Sequence, residues 1–161
     1  MAPRASSLIA SVCGVGYVPV APGTIASAAA IFLALPIVFY GGGWSLLAAS
    51  LIAFGIGVWA CGDHVGATGR EDPSECVIDE LAGQWLACAF AVLPLGLHAA
   101  PVTLPGFLLA FALFRLFDIW KPWPVSWADQ KLPGGLGVMA DDMIAGLMAG
   151  LLVLAARYFL L

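Results

Sequence analysis

Two long stretches of the chain, residues 5–62 and 81–114, contain no Asp, Glu, Lys or Arg. Over the whole chain only 10% of the residues are charged, 62% are hydrophobic, and the mean hydropathy is +1.01. A soluble globular domain carries about 25% charged residues, so this chain has too little polar surface to cover an aqueous exterior. The sequence therefore predicts a membrane protein with a single domain, 1–161. It excludes a nucleic-acid binder that relies on a basic surface.

Five apolar segments have roughly the length of a membrane-spanning helix, which is about 20 residues with about 17 as a lower limit. They are Thr24–Tyr40, Trp44–Gly62, Val77–Leu93, Leu104–Trp120 and Met139–Leu161. Three consecutive glycines, residues 41–43, separate the first two segments. Glycines and prolines interrupt the residues before Thr24, which predicts a short re-entrant or interfacial N-terminal segment. The predicted fold is an all-α, polytopic membrane helix bundle with about five membrane-embedded helices.

Two local patterns indicate helix boundaries and helix packing. Asp72, Pro73 and Glu75 match a cap, a first-turn proline and a capping glutamate, which predicts the start of the third helix. Gly146 and Gly150 form a GxxxG pattern, which is typical of close packing between membrane helices.

The five predicted crossings divide the polar segments between the two sides of the membrane. Residues 1–23, 63–76 and 121–138 fall on one side, which carries most of the Lys and Arg residues. The positive-inside tendency predicts that this side is cytoplasmic. All ten Asp and Glu residues belong to this side or to the helix ends that border it, so we expect a charged site that faces the cytoplasm.

Five carboxylates border the predicted cytoplasmic side: Asp79, Glu80, Asp118, Asp141 and Asp142. An ionised carboxylate within a membrane helix costs about 2.5–3.5 kcal/mol, so its presence requires a reason. Mg²⁺ prefers carboxylate oxygens and shares phosphate oxygens with its substrates. We therefore predict that Asp79, Glu80, Asp141 and Asp142 are metal ligands and that the cofactor is Mg²⁺.

Two cations and one helix start near these acids are suited to an anionic substrate. Arg115 and Lys121 are the predicted phosphate donors, and Asp118 shares a helix face with Arg115. Thr24 follows a glycine-rich segment and is a candidate N-cap with free amides beside it, which favours anion binding. In the alternative interpretation, Arg115 simply pairs with Asp118, and the other acids are ordinary residues at helix N-termini.

Four sequence blocks form a specific combination. They are APGT at residues 21–24, VIDE at 77–80, FRLFDIWKPWP at 114–124 and GGLGVMADD at 134–142. The combination resembles the phosphatidylglycerophosphatase A family. The resemblance implies an all-helical, Mg²⁺-dependent phosphatase of the bacterial inner membrane that converts the phospholipid phosphatidylglycerophosphate to phosphatidylglycerol and phosphate. Asp72 and Asp129 also match positions of the family pattern, which adds them to the candidate substrate-binding residues.

The resulting hypothesis assigns catalysis to Asp79, Asp118 and Asp142. Asp79 and Asp142 hold the metal, and Asp118 positions a water or takes its proton, although direct attack by an aspartate stays open. His64 has no predicted role, and Glu75 is expected to be a solvated loop charge. The alternative function is a small membrane ion or proton transporter, because carboxylates inside a membrane also mark ion pathways.

Overall fold

The computed structural model describes residues 4–70, 73–94 and 104–160. Within these ranges the chain consists of helices joined by turns, and no residue lies in a strand. The helices are α1 (Ala5–Ala10), α2 (Pro22–Thr68), α3 (Ile78–Val92), α4 (Leu104–Trp120), α5 (Val125–Lys131) and α6 (Gly134–Leu160), with a 3₁₀ turn at Val15–Tyr17. The all-α prediction is confirmed.

The long helix α2 is two helices that meet at Gly42. The φ of 71° and ψ of −173° at Gly42 lie outside the helical region, in a conformation that favours glycine. The two halves of α2 contact α3 in opposite orders, with the pairs Gly23–Glu80 and Ala30–Trp85 along the first half and Gly43–Leu93, Ser50–Ala82 and Gly57–Ile78 along the second. The chain therefore reverses at Gly42, within the three glycines that the sequence marks as a break.

Within the described residues, two helices are long and apolar enough to cross a membrane, namely α2 and the Gly134–Phe159 part of α6. α3 has 15 residues and α4 has 17, fewer than the about 20 residues that a perpendicular span requires. α3 is buried along almost its whole length and packs against α2, α4 and α6. It is therefore the central helix of the fold, and the number of membrane spans stays a prediction.

The contact between α3 and α6 is a direct approach of two backbones. A Cβ added at Gly146 would lie 2.3 Å from the carbonyl oxygen of Gly83, and one added at Gly83 would lie 2.6 Å from the carbonyl oxygen of Asp142. Small residues at such a crossing allow membrane helices to pack closely. The packing role predicted for Gly146 is confirmed, and this crossing sets the position of Asp142 relative to α3.

The predicted cap of the third helix is wrong, although α3 matches the predicted segment Val77–Leu93 to within one residue at each end. α3 begins at Ile78, with Val77 as its N-cap and no capping side chain, and not at the predicted cap Asp72. Glu75 cannot serve as a capping glutamate because its carboxylate is paired with His64 and Arg70. Asp72 itself lies outside the described residues.

The predicted loop over residues 121–138 is also only partly correct. It contains α5, and α6 begins at Gly134, five residues before the predicted start at Met139. The glycines at this end of α6 allow a close contact with α2, because a Cβ at Gly135 would overlap the carbonyl oxygen of Val58. Tertiary packing therefore extends the helix through residues that are poor helix formers on their own.

Candidate active site

One cavity of about 760 Å³ gathers the candidate site residues. The first turns of α2 and α3, the end of α4, α5 and the first half of α6 surround it. The candidates that line it are Thr24, Asp79, Glu80, Arg115, Asp118, Lys121, Asp129, Asp141 and Asp142. Every candidate within the described residues is therefore present, and the remaining one, Asp72, lies outside them.

Three carboxylates form a tight cluster in this cavity. One oxygen each from Asp79, Glu80 and Asp142 lies within 4.8 Å of the other two. Asp142 is only 3% exposed. Oε2 of Glu80 and Oδ2 of Asp142 are buried and have no hydrogen-bond partner among the described residues. Buried oxygens without a partner are costly, so this donor set fits a hard divalent cation such as Mg²⁺.

The cluster is assembled from two helices and supported by a third. Asp79 and Glu80 are adjacent on α3, so their side chains leave the helix about 100° apart. Their carboxylates can therefore reach a common ion only from two sides of it. The backbone N–H of Glu80 donates to Oδ1 of Asp79 at 2.9 Å. Gly23 in the first turn of α2 lies directly against the Glu80 carboxylate. Asp142 reaches the cluster from α6, next to the crossing with Gly83.

Asp141, the fourth predicted metal ligand, has a different partner. Lys121 donates from Nζ to Oδ2 of Asp141 at 2.8 Å and also to Oδ1 of Asp129. Partial burial alone would lower the pKa of Lys121, but the hydrogen bonds to Asp129 and Asp141 outweigh it and raise the pKa above its ordinary value. Lys121 therefore stays protonated over the physiological range. The structure places Asp141 beside this ammonium group and outside the three-carboxylate cluster.

Arg115 and Asp118 form an ion pair one turn apart on α4. This contact is the one that the alternative interpretation of the sequence predicted. Each side chain is 15% exposed. Nε of Arg115 is buried and has no hydrogen-bond partner within the described part of the chain. Since a guanidinium has several donors, Arg115 can bind Asp118 and still donate to an anion.

Thr24 lies in the first turn of α2 and is not its N-cap, contrary to the sequence prediction. α2 begins at Pro22, with Ala21 as the N-cap, because the fixed φ of proline suits the first position of a helix. Thr24 nevertheless lines the cavity with Gly23 and Pro22. The first-turn amides of a helix have no intrahelical partner and attract anions, so this end of α2 suits a phosphate group.

Sequence reasoning missed one cation in the cavity and one buried polar cluster near it. Lys131 lies in the last turn of α5 and lines the cavity. In the polar cluster, Nδ1 of His64 lies 3.0 Å from Oγ of Ser7, and Nε2 lies 3.1 Å from Oε1 of Glu75. Glu75 also pairs with Arg70. This cluster ties α1 and the end of α2 to the segment that leads into α3, a contact that no local sequence pattern signals.

The environment of Glu75 stabilises its ionised form. Burial alone would raise the pKa of Glu75, but hydrogen bonds with His64, the backbone and Arg70 outweigh it and hold the pKa below its usual value. With its proton on Nε2, His64 donates to Glu75 and accepts from the hydroxyl of Ser7. The expected solvated loop charge is thus a buried, paired carboxylate.

A model of the phosphatidylglycerophosphatase A family matches residues 8–157. The chain belongs to this family. Phosphatidylglycerophosphatase A of Escherichia coli (strain K12) is 34% identical over 155 residues, which cover 94% of this chain and 84% of the relative. The Haemophilus influenzae phosphatidylglycerophosphatase A is also 34% identical over 155 residues, covering 96% of this chain and 90% of the relative. The resemblance noted in the sequence is therefore confirmed.

A third relative carries a different name. A Bacteroides thetaiotaomicron protein, provisionally named as a phosphatidylinositol-3-phosphatase, is 35% identical over 158 residues, which cover 94% of this chain and 92% of the relative. No solved structure matches the chain. All three names describe phosphatases of phosphorylated lipids, and the third name differs from the other two in the headgroup.

Proposed function

We propose that the chain is a Mg²⁺-dependent phosphatase that hydrolyses the terminal phosphomonoester of phosphatidylglycerophosphate to phosphatidylglycerol and phosphate. The observation that carries the proposal is the shared cavity, in which three clustered carboxylates lie with Arg115 and Lys121. Membership in the phosphatidylglycerophosphatase A family supports the choice of substrate. A phosphomonoester dianion requires several positive charges; Arg115, Lys121 and Lys131 line the cavity and supply part of this charge, and the metal would supply the rest.

Asp79, Glu80 and Asp142 are the residues that would hold the metal, because one oxygen of each lies close to the other two, and because Oε2 of Glu80 and Oδ2 of Asp142 are buried without a hydrogen-bond partner in the described part of the chain. When bound, Mg²⁺ supplies charge neutralisation at the phosphoryl oxygens and lowers the pKa of a bound water. Asp141 contributes through Lys121, whose position and charge it fixes.

The side chains of the cavity bind and orient the phosphate. Lys121 has three donors and uses two of them on Asp129 and Asp141, so one stays available for a phosphoryl oxygen. Arg115 supplies further donors from a nearly buried position. Phosphate monoesters hydrolyse extremely slowly in water, so most of the acceleration must come from this alignment and charge stabilisation.

Asp118 is the candidate general base. Arg115 fixes its orientation, and both residues line the cavity. In the proposed reaction, Asp118 takes the proton of the attacking water, the water oxygen forms a new bond to phosphorus, and the bond from phosphorus to the ester oxygen breaks. The ester oxygen takes up a proton from solvent water and leaves as the hydroxyl group of phosphatidylglycerol, inorganic phosphate is the second product, and Asp118 returns its proton to solvent.

We place the protein in the bacterial inner membrane as a multi-pass protein, with the cavity facing the cytoplasm. The reversal at Gly42 gives α2 two antiparallel apolar halves, each with about the length of a span. Trp120, Trp123 and Trp127 are exposed beside the cavity, where tryptophans mark a headgroup region. Most Lys and Arg residues lie at this same end, as expected for the cytoplasmic side.

Phosphate release from purified protein and phosphatidylglycerophosphate in detergent micelles tests the proposal. We expect turnover with Mg²⁺ and loss of turnover after chelation with EDTA. Asp142→Asn should lower kcat by about 100-fold or more, the scale of removing one electrostatic group from an active site, without a change in thermal stability. The matched control is Asp63→Asn, since Asp63 lies outside the cavity.

Two results would contradict the proposal. Wild-type protein that releases no phosphate with Mg²⁺ would exclude the phosphatase function. If the same protein in liposomes carried an ion or proton current, the transporter alternative would be favoured. Near-normal turnover of Asp142→Asn would instead remove Asp142 from the site.

A further inference from the structure

A second cavity, of about 340 Å³, forms an apolar groove between the first half of α2 and α4. All of its lining residues are apolar. They include Ala28, Phe32, Leu35, Leu104, Leu108 and Phe111. Phe32 is 73% exposed and Leu104 is 70% exposed, so the groove opens to the surroundings of the protein along its side.

The groove begins where the active-site cavity ends. On α2, Thr24 lines the cavity and Ala28 lines the groove, and these residues are one helical turn apart. On α4, Arg115 lines the cavity and Phe111 lines the groove, again one turn apart. The same two helices therefore present a polar site at one end and a continuous apolar channel at the other.

The distance from Arg115 in the active-site cavity to Leu104 at the far end of the groove matches one leaflet of a bilayer. From Arg115 to Leu104, α4 rises by about 16 Å at 1.5 Å per residue. The hydrocarbon core of a bilayer is about 30 Å thick, so one leaflet is about 15 Å. A lipid with its phosphate beside Arg115 and one acyl chain along the groove would therefore extend through its own leaflet.

We propose that this groove holds an acyl chain of the lipid substrate and that the lipid enters the active site sideways, between α2 and α4. The inference rests on the proposed function, because it assumes a lipid phosphomonoester as the substrate. A phospholipid joins a charged head to apolar chains, which is the combination that the two neighbouring cavities present. Burial of methylene groups in the groove then contributes to substrate binding.

Ala28→Phe tests the groove, since a phenyl ring at this position fills the end nearest the cavity. Ala48→Phe is the matched control, because Ala48 is exposed on the second half of α2 and lines neither cavity. Two substrates are compared: long-chain phosphatidylglycerophosphate in micelles, and its deacylated, water-soluble headgroup. For Ala28→Phe we expect kcat/KM with the lipid to fall about tenfold, which corresponds to the loss of about two buried methylene groups. With the water-soluble headgroup we expect kcat/KM to fall less than twofold.

The outcomes separate failure of the groove from failure of the proposed function. If wild-type protein hydrolyses neither substrate, the proposed function is wrong. If wild-type protein is active and Ala28→Phe behaves like Ala48→Phe on the lipid, or loses both substrates equally, the acyl-chain site is wrong. A change in oligomeric mass of Ala28→Phe in light scattering would show that another protein chain occupies the groove, which would also overturn the proposal.

A binding experiment tests the groove without turnover. Phosphatidylglycerol with a diazirine near the end of one acyl chain is photolysed with the wild-type protein, and the labelled residues are identified by mass spectrometry. We expect label on Phe32, Leu35, Leu104 or Leu108, and strong loss of that label in Ala28→Phe. Equal labelling of exposed residues away from the groove, such as Leu51 and Trp59, would refute the site.

Discussion

Replacing Gly146 with alanine should separate the active-site carboxylates without altering any polar side chain. The added Cβ would lie 2.3 Å from the carbonyl oxygen of Gly83 on α3. Non-bonded heavy atoms pack at about 3.5–4.0 Å, so α3 and α6 would have to move apart by about 1 Å. The obstacle is backbone, which cannot rotate away as the end of a side chain can.

The cost of this change follows from the same contact. Overpacking a tight site typically costs about 1–3 kcal/mol, and we expect the upper part of that range because backbone atoms must move. Asp142 lies one turn before Gly146, and Asp79 lies one turn before Gly83, so the shift would widen the carboxylate cluster. A misplacement of about 1 Å in an active site can lower the rate by about 100-fold.

Gly55→Ala is the matched control for Gly146→Ala. Gly55 also lies within a helix, but a Cβ at this position would have no atom within 4 Å. Alanine should there leave activity unchanged and stabilise the protein by up to about 1 kcal/mol, because alanine is the better helix former. Thermal unfolding in detergent and phosphate release from phosphatidylglycerophosphate are measured on both variants and on wild type.

The reasoning fails in two distinguishable ways. If Gly146→Ala keeps both its melting temperature and its turnover, as Gly55→Ala should, the backbones of α3 and α6 are not in contact at Gly83. If Gly146→Ala loses stability but keeps full turnover, the crossing does not set the geometry of the carboxylates.

Two further predictions concern residues outside the helix crossing. Lys121→Gln should lower kcat/KM for the lipid by about 10- to 100-fold, mainly by raising KM, because it removes a charged hydrogen bond to the phosphate. An unchanged KM would show that Lys121 does not bind the phosphate. Glu75→Gln should destabilise the protein by about 1–3 kcal/mol at pH 7, because the partners of the buried carboxylate lose its charge. Because the pKa of Glu75 in the folded protein is below the unfolded value near 4.3, the charge of Glu75 stabilises the fold above that pH. The difference in melting temperature between wild type and Glu75→Gln should therefore shrink as the pH falls below about 4. A difference that is constant with pH would contradict the ion pairing.

The sequence predicted best the helices whose two ends carry strong local signals. α4 spans Leu104–Trp120 as predicted, and it lies between a proline-containing segment and Lys121-Pro122. The break at residues 41–43 was readable because glycine tolerates a conformation that other residues avoid. The early start of α6 and the helix α5 depend on tertiary contacts, which a local pattern does not encode.

The sequence predicted which residues line the candidate site, but it did not predict which of them contact each other. The cost of placing carboxylates in a membrane identified five of the six acids that line the cavity, and the sixth, Asp129, was a candidate only through the family resemblance. The sequence assigned both Asp141 and Asp142 to the metal, but adjacent residues on a helix point about 100° apart, and only Asp142 joins the cluster while Asp141 contacts Lys121. Glu75 lies in the turn before α3 and its partner His64 lies on α2, and only the folded chain brings them together.

The enclosure of α3 limits how the length of this protein can change during evolution. One residue inserted between Glu80 and Gly83 would turn the two acids by about 100° relative to the rest of α3. A helix at the surface could rotate to compensate, but α3 contacts α2, α4 and α6 and has no free side. Insertions and deletions should therefore be excluded between the acid pair and the helix crossing.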